Sequence, residues 1–311
     1  MNRQNIFSNY LAACPACDSP TRRPWFHKEM DGVTFKLDRC CTCGTGFVNP
    51  RPSMEYLKSI YAKTGHGSKS LISFDEVMAG EIEFPNSTVD AQRIIKYAQK
   101  LLGRRKNLQL LDIGSGYGFF SRAGIAAGFQ VTAVNPASLE NSIFKQLNGF
   151  DPIPRFFEEV DFGAEKFDLV ILSQILEHLL DPRQILLRVN SLLNRGGVVA
   201  IAVPNVEAIL IKILKSRSSF LGLPEHLTHF SFKGLEAILQ RTGFVARNHL
   251  YVSRIPYNSI SNRLGLQGKP RQLLNRGFRI AQWLPLRIAD WLGFGLYQNV
   301  WAQPASGVER P

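Results

Sequence analysis

Leu110-Leu111-Asp112-Ile113-Gly114-Ser115-Gly116-Tyr117-Gly118-Phe119-Phe120 sets an apolar run, an acidic residue, three alternating glycines and a helix-opening pair in direct succession. That order reads as strand, tight turn and helix, the element on which doubly wound α/β proteins hold nucleotide-like ligands. Alternate glycines let the backbone turn sharply and approach a ligand with no Cβ in the way. The start of the helix then offers free N–H groups to an anionic part of that ligand. An ordinary glycine-rich βα turn fits the same letters, so the neighbouring segments decide.

Those segments continue the alternation. A helix over Phe119–Ala127 ends at Gly128, and Gln130–Val134 makes a second short strand. Phe167–Ser173 is an apolar run save Asp168 and the closing Ser173, the mark of a strand buried on both faces. A helix over Pro182–Leu193 stops at Gly196-Gly197 and leads into the apolar strand Val198–Pro204.

The glycine spacing differs from the G-x-G-x-x-G of NAD-binding turns. The form D-x-G-x-G-x-G, with Asp112 two residues before Gly114, resembles the first motif of class I S-adenosylmethionine-dependent methyltransferases. Leu176-Glu177-His178-Leu179 after the third of these strands extends the resemblance, which runs from Leu108 to Gly243. It implies an α/β fold with a doubly wound, mostly parallel, seven-stranded sheet, and S-adenosylmethionine as cofactor. By that resemblance Asp112 orients the loop or meets the methionine amino group, and Gly114 and Gly116 give the methionine portion close approach. Ser115, Tyr117 and Gly118 complete the cradle, and Ser173 and Gln174 end the strand expected beneath the cofactor. From the residues alone, Asp112 could equally cap N–H groups of the turn, and the two roles are compatible.

One position departs from the family pattern. Asp or Glu usually ends the second strand, accepting hydrogen bonds from both ribose hydroxyls. Ala133-Val134-Asn135-Pro136 puts Asn135 there, followed by Pro136. A neutral amide lacks the charge-assisted strength of a carboxylate. The expected loss is about 1–2 kcal/mol, roughly tenfold in affinity. On this reading Asn135→Asp tightens cofactor binding, and Asn135 is the feature that would favour a non-catalytic binding or scaffold relative of the fold.

All five cysteines precede residue 44. Cys14-Pro15-Ala16-Cys17 and Cys40-Cys41-Thr42-Cys43 form two C-x-x-C knuckles, separated by 22 residues. Cys14, Cys17, Cys40 and Cys43 match a tetrahedral structural zinc site of the ribbon type, leaving Cys41 over. A closed four-thiolate site has no open position for substrate or water. Disulfides need an oxidising compartment, and Met1–Asn9 has no apolar core for a signal peptide. Without such a core, Leu11-Ala12-Ala13-Cys14 is not expected to be a lipoprotein cleavage site. The resemblance extends here too, to a bacterial subgroup with an N-terminal zinc ribbon, followed by Phe47–Pro52 and a short helix over Ser53–Tyr61.

The 311 residues, 45% of them hydrophobic, allow about two domains in a cytoplasmic protein. The expected division is a ribbon and leader at 1–52, a helical linker or lid at 53–105 and the methyltransferase core at 106–311. A basic helical insertion falls at about 256–293, between two final strands at Ala246–Arg254 and Phe294–Ala302, with a disordered tail from Gln303. The net charge is +12, and from Arg247 onward nine Lys or Arg face two acidic residues. Arg271–Leu284 alternates basic and apolar residues at helical spacing, and Leu286–Leu292 continues it after Pro285. Val206–Lys215 repeats the theme. Three readings stay open for these segments: core-packed faces with solvated arginines, peripheral contact with an anionic membrane on its inner face, and nucleic acid. Nucleic acid is the least favoured, because no stacking platform of aromatics is evident.

For the acceptor, methyl transfer needs an in-line nucleophile and, for a hydroxyl, somewhere for its proton to go. His226 and His229, in His226-Leu227-Thr228-His229-Phe230-Ser231, fall over the expected mouth of the cleft and match the family's "H-L-x-H-F-S" stretch. A histidine titrating near neutrality suits that proton transfer. The alternative is that one of them anchors the loop before a helix at Lys233–Thr242, with Ser231 as its N-cap. Glu177 and His178 are adjacent and so point in different directions on a helix. The substrate class expected is a small molecule or a sugar of an envelope glycan or lipid-linked intermediate, methylated on oxygen. An RNA methyltransferase is the other enzymatic reading.

Overall fold

The computed structural model describes residues 6–8, 10–30, 32–64, 73–218, 221–254, 261 and 264–305. The tail expected to be disordered, the start of the insertion at 256–260 and part of the linker at 65–72 lie wholly or mainly outside them. Strands β1 (Arg22–Met30), β2 (Val33–Cys40) and β3 (Gly46–Val48) form an antiparallel ribbon carrying the cysteine knuckles. Helix α1 (Met54–Thr64) follows, opened by Ser53, whose hydroxyl accepts from the Tyr56 N–H at 3.1 Å. Then come α2 (Phe74–Glu83), with a Ser73–Glu76 capping box, and α3 (Asn86–Leu102), which buries Ile94, Ile95 and Ala98.

The second sheet holds the glycine motif. Its strands are β4 (Gln109–Ile113), β5 (Gln130–Val134), β6 (Phe167–Ser173) and β7 (Leu193–Pro204), all parallel, joined by α4 (Phe119–Ala126), α5 (Ser138–Asn148) and α6 (Pro182–Leu192). After β7 come α7 (Ile209–Leu214), the two-residue β8 (Thr228–His229), α8 (Phe232–Arg241) and β9 (Phe244–Val252). Helix α9 (Gly268–Trp291) precedes the last strand, β10 (Tyr297–Pro304). The spatial order is β5-β4-β6-β7-β10-β9, with β10 antiparallel to both neighbours. Helices cover both faces of β6, and six of its seven residues are buried.

Among the described residues this sheet has six strands. The place of the seventh is marked by a single parallel bridge from Ile153 to Val134. Ile153 lies between Pro152 and Pro154, neither of which has an N–H for a ladder, so pairing stops after one residue. Helix α9 runs through Pro285, where the sequence pattern suggests a break. Pro285 is exposed, so water can satisfy the carbonyl it releases. The order reverses between β4 and β6, and a doubly wound sheet opens its ligand crevice there, beyond the carboxyl ends of the strands.

The ribbon is welded to this core. β3 pairs with β8, so the short strand bearing His229 belongs to the ribbon sheet. Arg51, fully buried, donates to the Leu227 carbonyl and, at 2.7 Å, to the Thr228 hydroxyl. Ser231 caps α8 by accepting from the Gly234 N–H at 3.0 Å, and its hydroxyl donates to the Cys43 carbonyl. Arg241 bonds the Ala16 carbonyl and Asp18, each at 3.0 Å. Among the described residues, no helix is long and apolar enough to cross a membrane.

Candidate active site

The three motif glycines all have positive φ, at 67°, 52° and 89° for Gly114, Gly116 and Gly118. Each is needed for a different reason. A Cβ on Gly114 would stand 2.0 Å from Ile175 Cδ1, and one on Gly118 would stand 2.2 Å from Asn148 Nδ2. At Gly116 the space is open, the nearest atom being Glu140 Oε2 at 3.9 Å. The outer glycines therefore serve packing, and the middle one keeps a surface clear. Asp112, buried at the end of β4, accepts from the Ser121 hydroxyl at 2.7 Å, and burial pushes its carboxyl up to about 6. Ser115 Oγ is buried with no hydrogen-bond partner among the described residues. Tyr117 is half-buried beside it.

Asn135 is fully buried beyond the end of β5, while Pro136 is exposed and turned to the surface. The Asn135 amide donates to Glu140 Oε2 at 3.1 Å and to Asn141 Oδ1 at 2.9 Å. Its own Oδ1 has no partner among the described residues. Glu140, buried in the first turn of α5, thus sets a carboxylate over Gly116 five residues beyond the position where the sequence pattern expects one. Sequence reasoning missed it, although Glu140 on an otherwise buried helical stripe with Phe144 and Leu147 was a readable signal. Two orphaned polar oxygens and a clear carboxylate around one open glycine fit the nucleoside and methionine polar groups of S-adenosylmethionine.

Ser173 ends β6, half-buried, and Gln174 follows with φ of 56°, a left-handed conformation uncommon for a side chain of this size. The Gln174 N–H bonds the Ala202 carbonyl at 2.7 Å, which holds the kink. Ile175 then packs on Gly114, and the 3-10 turn Leu176–His178 begins at the next residue. Glu177 and His178 therefore stand next to the glycine loop, on a turn rather than on the expected α-helix. His226 joins them: its ring meets His178 at 4.7 Å, edge to face, and lies 6.4 Å from His229. Glu177 is 1% exposed, its two carboxylate oxygens have no hydrogen-bond partner among the described residues, and burial pushes its carboxyl up to about 8. His229 is 4% exposed and lowered to about 3 by burial and then by the positive charges of His226 and Arg51, so it is neutral throughout the physiological range. Trp25 of the ribbon stands over His229 at 6.3 Å.

In the ribbon the sulfurs of Cys14, Cys17, Cys40 and Cys43 lie within 4.8 Å of one another, with Cys14–Cys43 at 3.7 Å and Cys17–Cys40 at 3.5 Å. A tetrahedral zinc with Zn–S near 2.3 Å requires sulfurs about 3.8 Å apart, so the donor set suits a structural zinc as it stands. Cys41 is exposed and outside the cluster. Crowding among the thiols raises Cys14 and lowers Cys43, the latter through hydrogen bonds from Cys14 and Thr45.

Comparison with known proteins agrees with this geometry. A family model described as "Methyltransferase domain" matches residues 88–249, just over half of the 311 residues. The curated relatives include ubiquinone biosynthesis O-methyltransferases from Caulobacter vibrioides, 35% identical over 107 residues (32% of this chain, 42% of the relative), and from Caulobacter sp. strain K31, 31% identical over 128 residues (38% and 50%). The chain thus matches half or less of the length of either. Solved structures with a similar course include a methyltransferase described as putative from Bacillus halodurans, at 13% identity and TM-score 0.49, covering 70% of this chain and 100% of that one. Magnesium protoporphyrin IX methyltransferase from Synechocystis, solved with bound SAM, aligns at 13% identity and TM-score 0.42 over 70% and 80%. On the match to the domain model, the chain belongs to the methyltransferase-domain family.

Proposed function

We propose that the protein transfers a methyl group from S-adenosylmethionine to a hydroxyl oxygen of a small molecule or glycan sugar. The observation that carries this reading is the glycine loop with Ser115, Asn135 and Glu140 around the open Gly116, set beside a turn that brings Glu177 and His178 against His226 of the loop before β8. Bound S-adenosylmethionine supplies an electrophilic methyl on a sulfonium. Asp112 would accept from the amino group of its methionine portion, and Glu140, steadied by Asn135, would accept from its ribose hydroxyls. The carboxylate at Glu140 answers the feature that favoured a non-catalytic relative.

His226 and His229 are assigned to the acceptor side. His226 is half-buried beside His178, whereas His229 is a buried, neutral imidazole held by β8 and the ribbon. Of the two, His226 is the one toward which the acceptor proton would leave as the oxygen attacks, because burial makes His229 too weak a base to hold it. The curated relatives' names support oxygen as the acceptor atom.

The second part of the reading concerns where the acceptor resides. Helix α9 exposes Leu273, Ile280, Trp283, Leu284, Ile288 and Trp291 beside Lys269, Arg271, Arg276, Arg279 and Arg287. Ile213 and Leu214 of α7, with Lys212 and Lys215, expose a second such patch. Tryptophan and aliphatic side chains beside arginine suit the interface of an anionic leaflet, which supports a peripheral position on the cytoplasmic face of a membrane. Calorimetric titration with S-adenosylhomocysteine tests the first part. Binding in the micromolar range is expected, and no heat at millimolar ligand would refute it.

A further inference from the structure

We propose that Glu177, His178 and His226 hold a divalent transition-metal cation on the acceptor side of the cleft, at a site separate from the cysteine cluster. One ligand atom from each of the three lies within 4.8 Å of the others. Ligands about 2.1 Å from a common tetrahedral centre are about 3.4 Å apart, so closing the site takes a shift on the order of an ångström in half-buried imidazoles.

Glu177 supplies the independent reason. Its carboxylate is 1% exposed, neither oxygen has a hydrogen-bond partner among the described residues, and one of them faces both imidazoles. A carboxylate buried without a partner is strongly disfavoured, and a cation is the partner that two neighbouring imidazoles can share with it. The backbone is shaped to keep the three together. The Leu227 N–H donates to the Glu177 carbonyl at 2.8 Å, tying the 3-10 turn to the histidine loop. The His226 N–H bonds the Gly222 carbonyl at 2.9 Å, and a Cβ on Gly222 would stand 2.4 Å from His226 Nδ1. Only glycine admits the ring there. Arg51 fixes the next two residues from the other side.

Two imidazoles and one carboxylate select zinc, cobalt, manganese or iron over the all-oxygen preferences of magnesium and calcium. Three protein ligands leave a position open, as catalytic rather than structural sites do. This inference rests on the acceptor-side reading given above and deepens it: the open position takes the acceptor hydroxyl, whose acidity the cation raises. As the O–CH3 bond forms, the S–CH3 bond breaks, the sulfonium becomes a neutral thioether, and the hydroxyl proton passes to solvent. His226 is then a ligand, and the proton need not be taken by a strong base.

The test is cobalt titration of the full chain with zinc already in the ribbon, read by visible absorption. One equivalent with d–d bands and no thiolate charge-transfer band is expected. Glu177→Gln and His226→Ala should each weaken that binding at least tenfold, with ribbon zinc and the melting temperature retained. The exposed His27→Ala should leave it unchanged. Should one variant fail to fold, His178→Ala carries the same expectation. No cobalt uptake at millimolar metal, or uptake indifferent to these substitutions, overturns the proposal. Parallel titration with S-adenosylhomocysteine separates the two readings. Cofactor binding without cobalt binding removes the metal alone, and cobalt binding without cofactor binding removes the methyl-transfer reading alone.

Discussion

Asn135→Asp separates what the sequence pattern suggests from what the structure requires. By pattern, the substitution restores the missing acid and tightens cofactor binding. In the structure the new carboxylate oxygen would replace an amide nitrogen 3.1 Å from Glu140 Oε2. Two full charges at that distance repel by about 5 kcal/mol at an effective dielectric constant of 20. Protonating one carboxyl is cheaper: for a group of ordinary acidity near 4, it costs about 4 kcal/mol at pH 7 and under about 1 kcal/mol at pH 4.5. The penalty is therefore bounded at about 4 kcal/mol, and its sign with pH follows. The fold favours the protonated form of the pair, so the variant approaches wild-type stability at low pH and loses ground as pH rises toward neutrality. Urea unfolding at pH 4.5 and pH 7.5 reads this directly, and titration with S-adenosylhomocysteine should show weaker binding at pH 7.5. The double variant Asn135→Asp, Glu140→Gln moves the charge back across the same hydrogen bond and should recover most of both losses. Tighter binding by Asn135→Asp alone, with unchanged stability at pH 7.5, would refute the placement of Glu140.

Three further outcomes follow from the same site. Gly116→Ala carries left-handed strain of about 1 kcal/mol at φ 52°, but its methyl group meets only Glu140 Oε2 at 3.9 Å, so the fold should survive while S-adenosylhomocysteine binding weakens at least tenfold; Gly114→Ala, strained likewise at φ 67° and also meeting Ile175 at 2.0 Å, should lower the melting temperature further. Asp112→Asn should stabilise the cofactor-free protein above pH 6 by up to about 3 kcal/mol, because a carboxyl raised from 3.8 to about 6 loses stability as pH climbs through that window. The same variant should bind cofactor more weakly, and equal urea midpoints at pH 8 would refute the burial argument. Trp283→Glu with Trp291→Glu, at 62% and 85% exposure, should lower sedimentation with phosphatidylglycerol vesicles at least tenfold without shifting the melting temperature. Unchanged sedimentation would refute the membrane reading of α9.

Local chemistry explains which parts were legible. The strand boundaries at Gln130–Val134 and Phe167–Ser173 were readable to the residue, because each is a short, mostly apolar run bounded by turn residues. Ser231 was readable as a cap because its hydroxyl acts within three residues. What escaped was set by long-range contacts. Nothing in Thr228-His229 announces pairing with Gly46-Phe47, some 180 residues earlier. Glu140 was hidden because its role depends on where α5 lies over Gly116, not on spacing within a motif. Adjacent Glu177 and His178 diverge on an α-helix, but on a 3-10 turn against the loop of His226 they come within ligand distance.

That same distant pairing bears on why a ribbon precedes this domain at all. Zinc at the four cysteines fixes the knuckles, and the Cys43 carbonyl accepts from Ser231 while Arg51 grips Leu227 and Thr228. Every residue from Leu227 to His229 is thus held from the ribbon side, and His226 precedes them directly. The most direct route by which zinc binding can steady the histidine loop is the β3–β8 pairing and these side-chain bonds, since β8 belongs to the ribbon sheet and not to the sheet that carries the glycine motif. Chelation of the ribbon zinc should therefore act unevenly. Cobalt binding at Glu177, His178 and His226 should fall with the ribbon, while affinity for S-adenosylhomocysteine, which we assign to β4, β5 and α5, should change by less than about threefold. Equal loss of both would mean that the two halves of the cleft share one cooperative unit, and the ribbon would then be a general stabiliser rather than a buttress for the acceptor side.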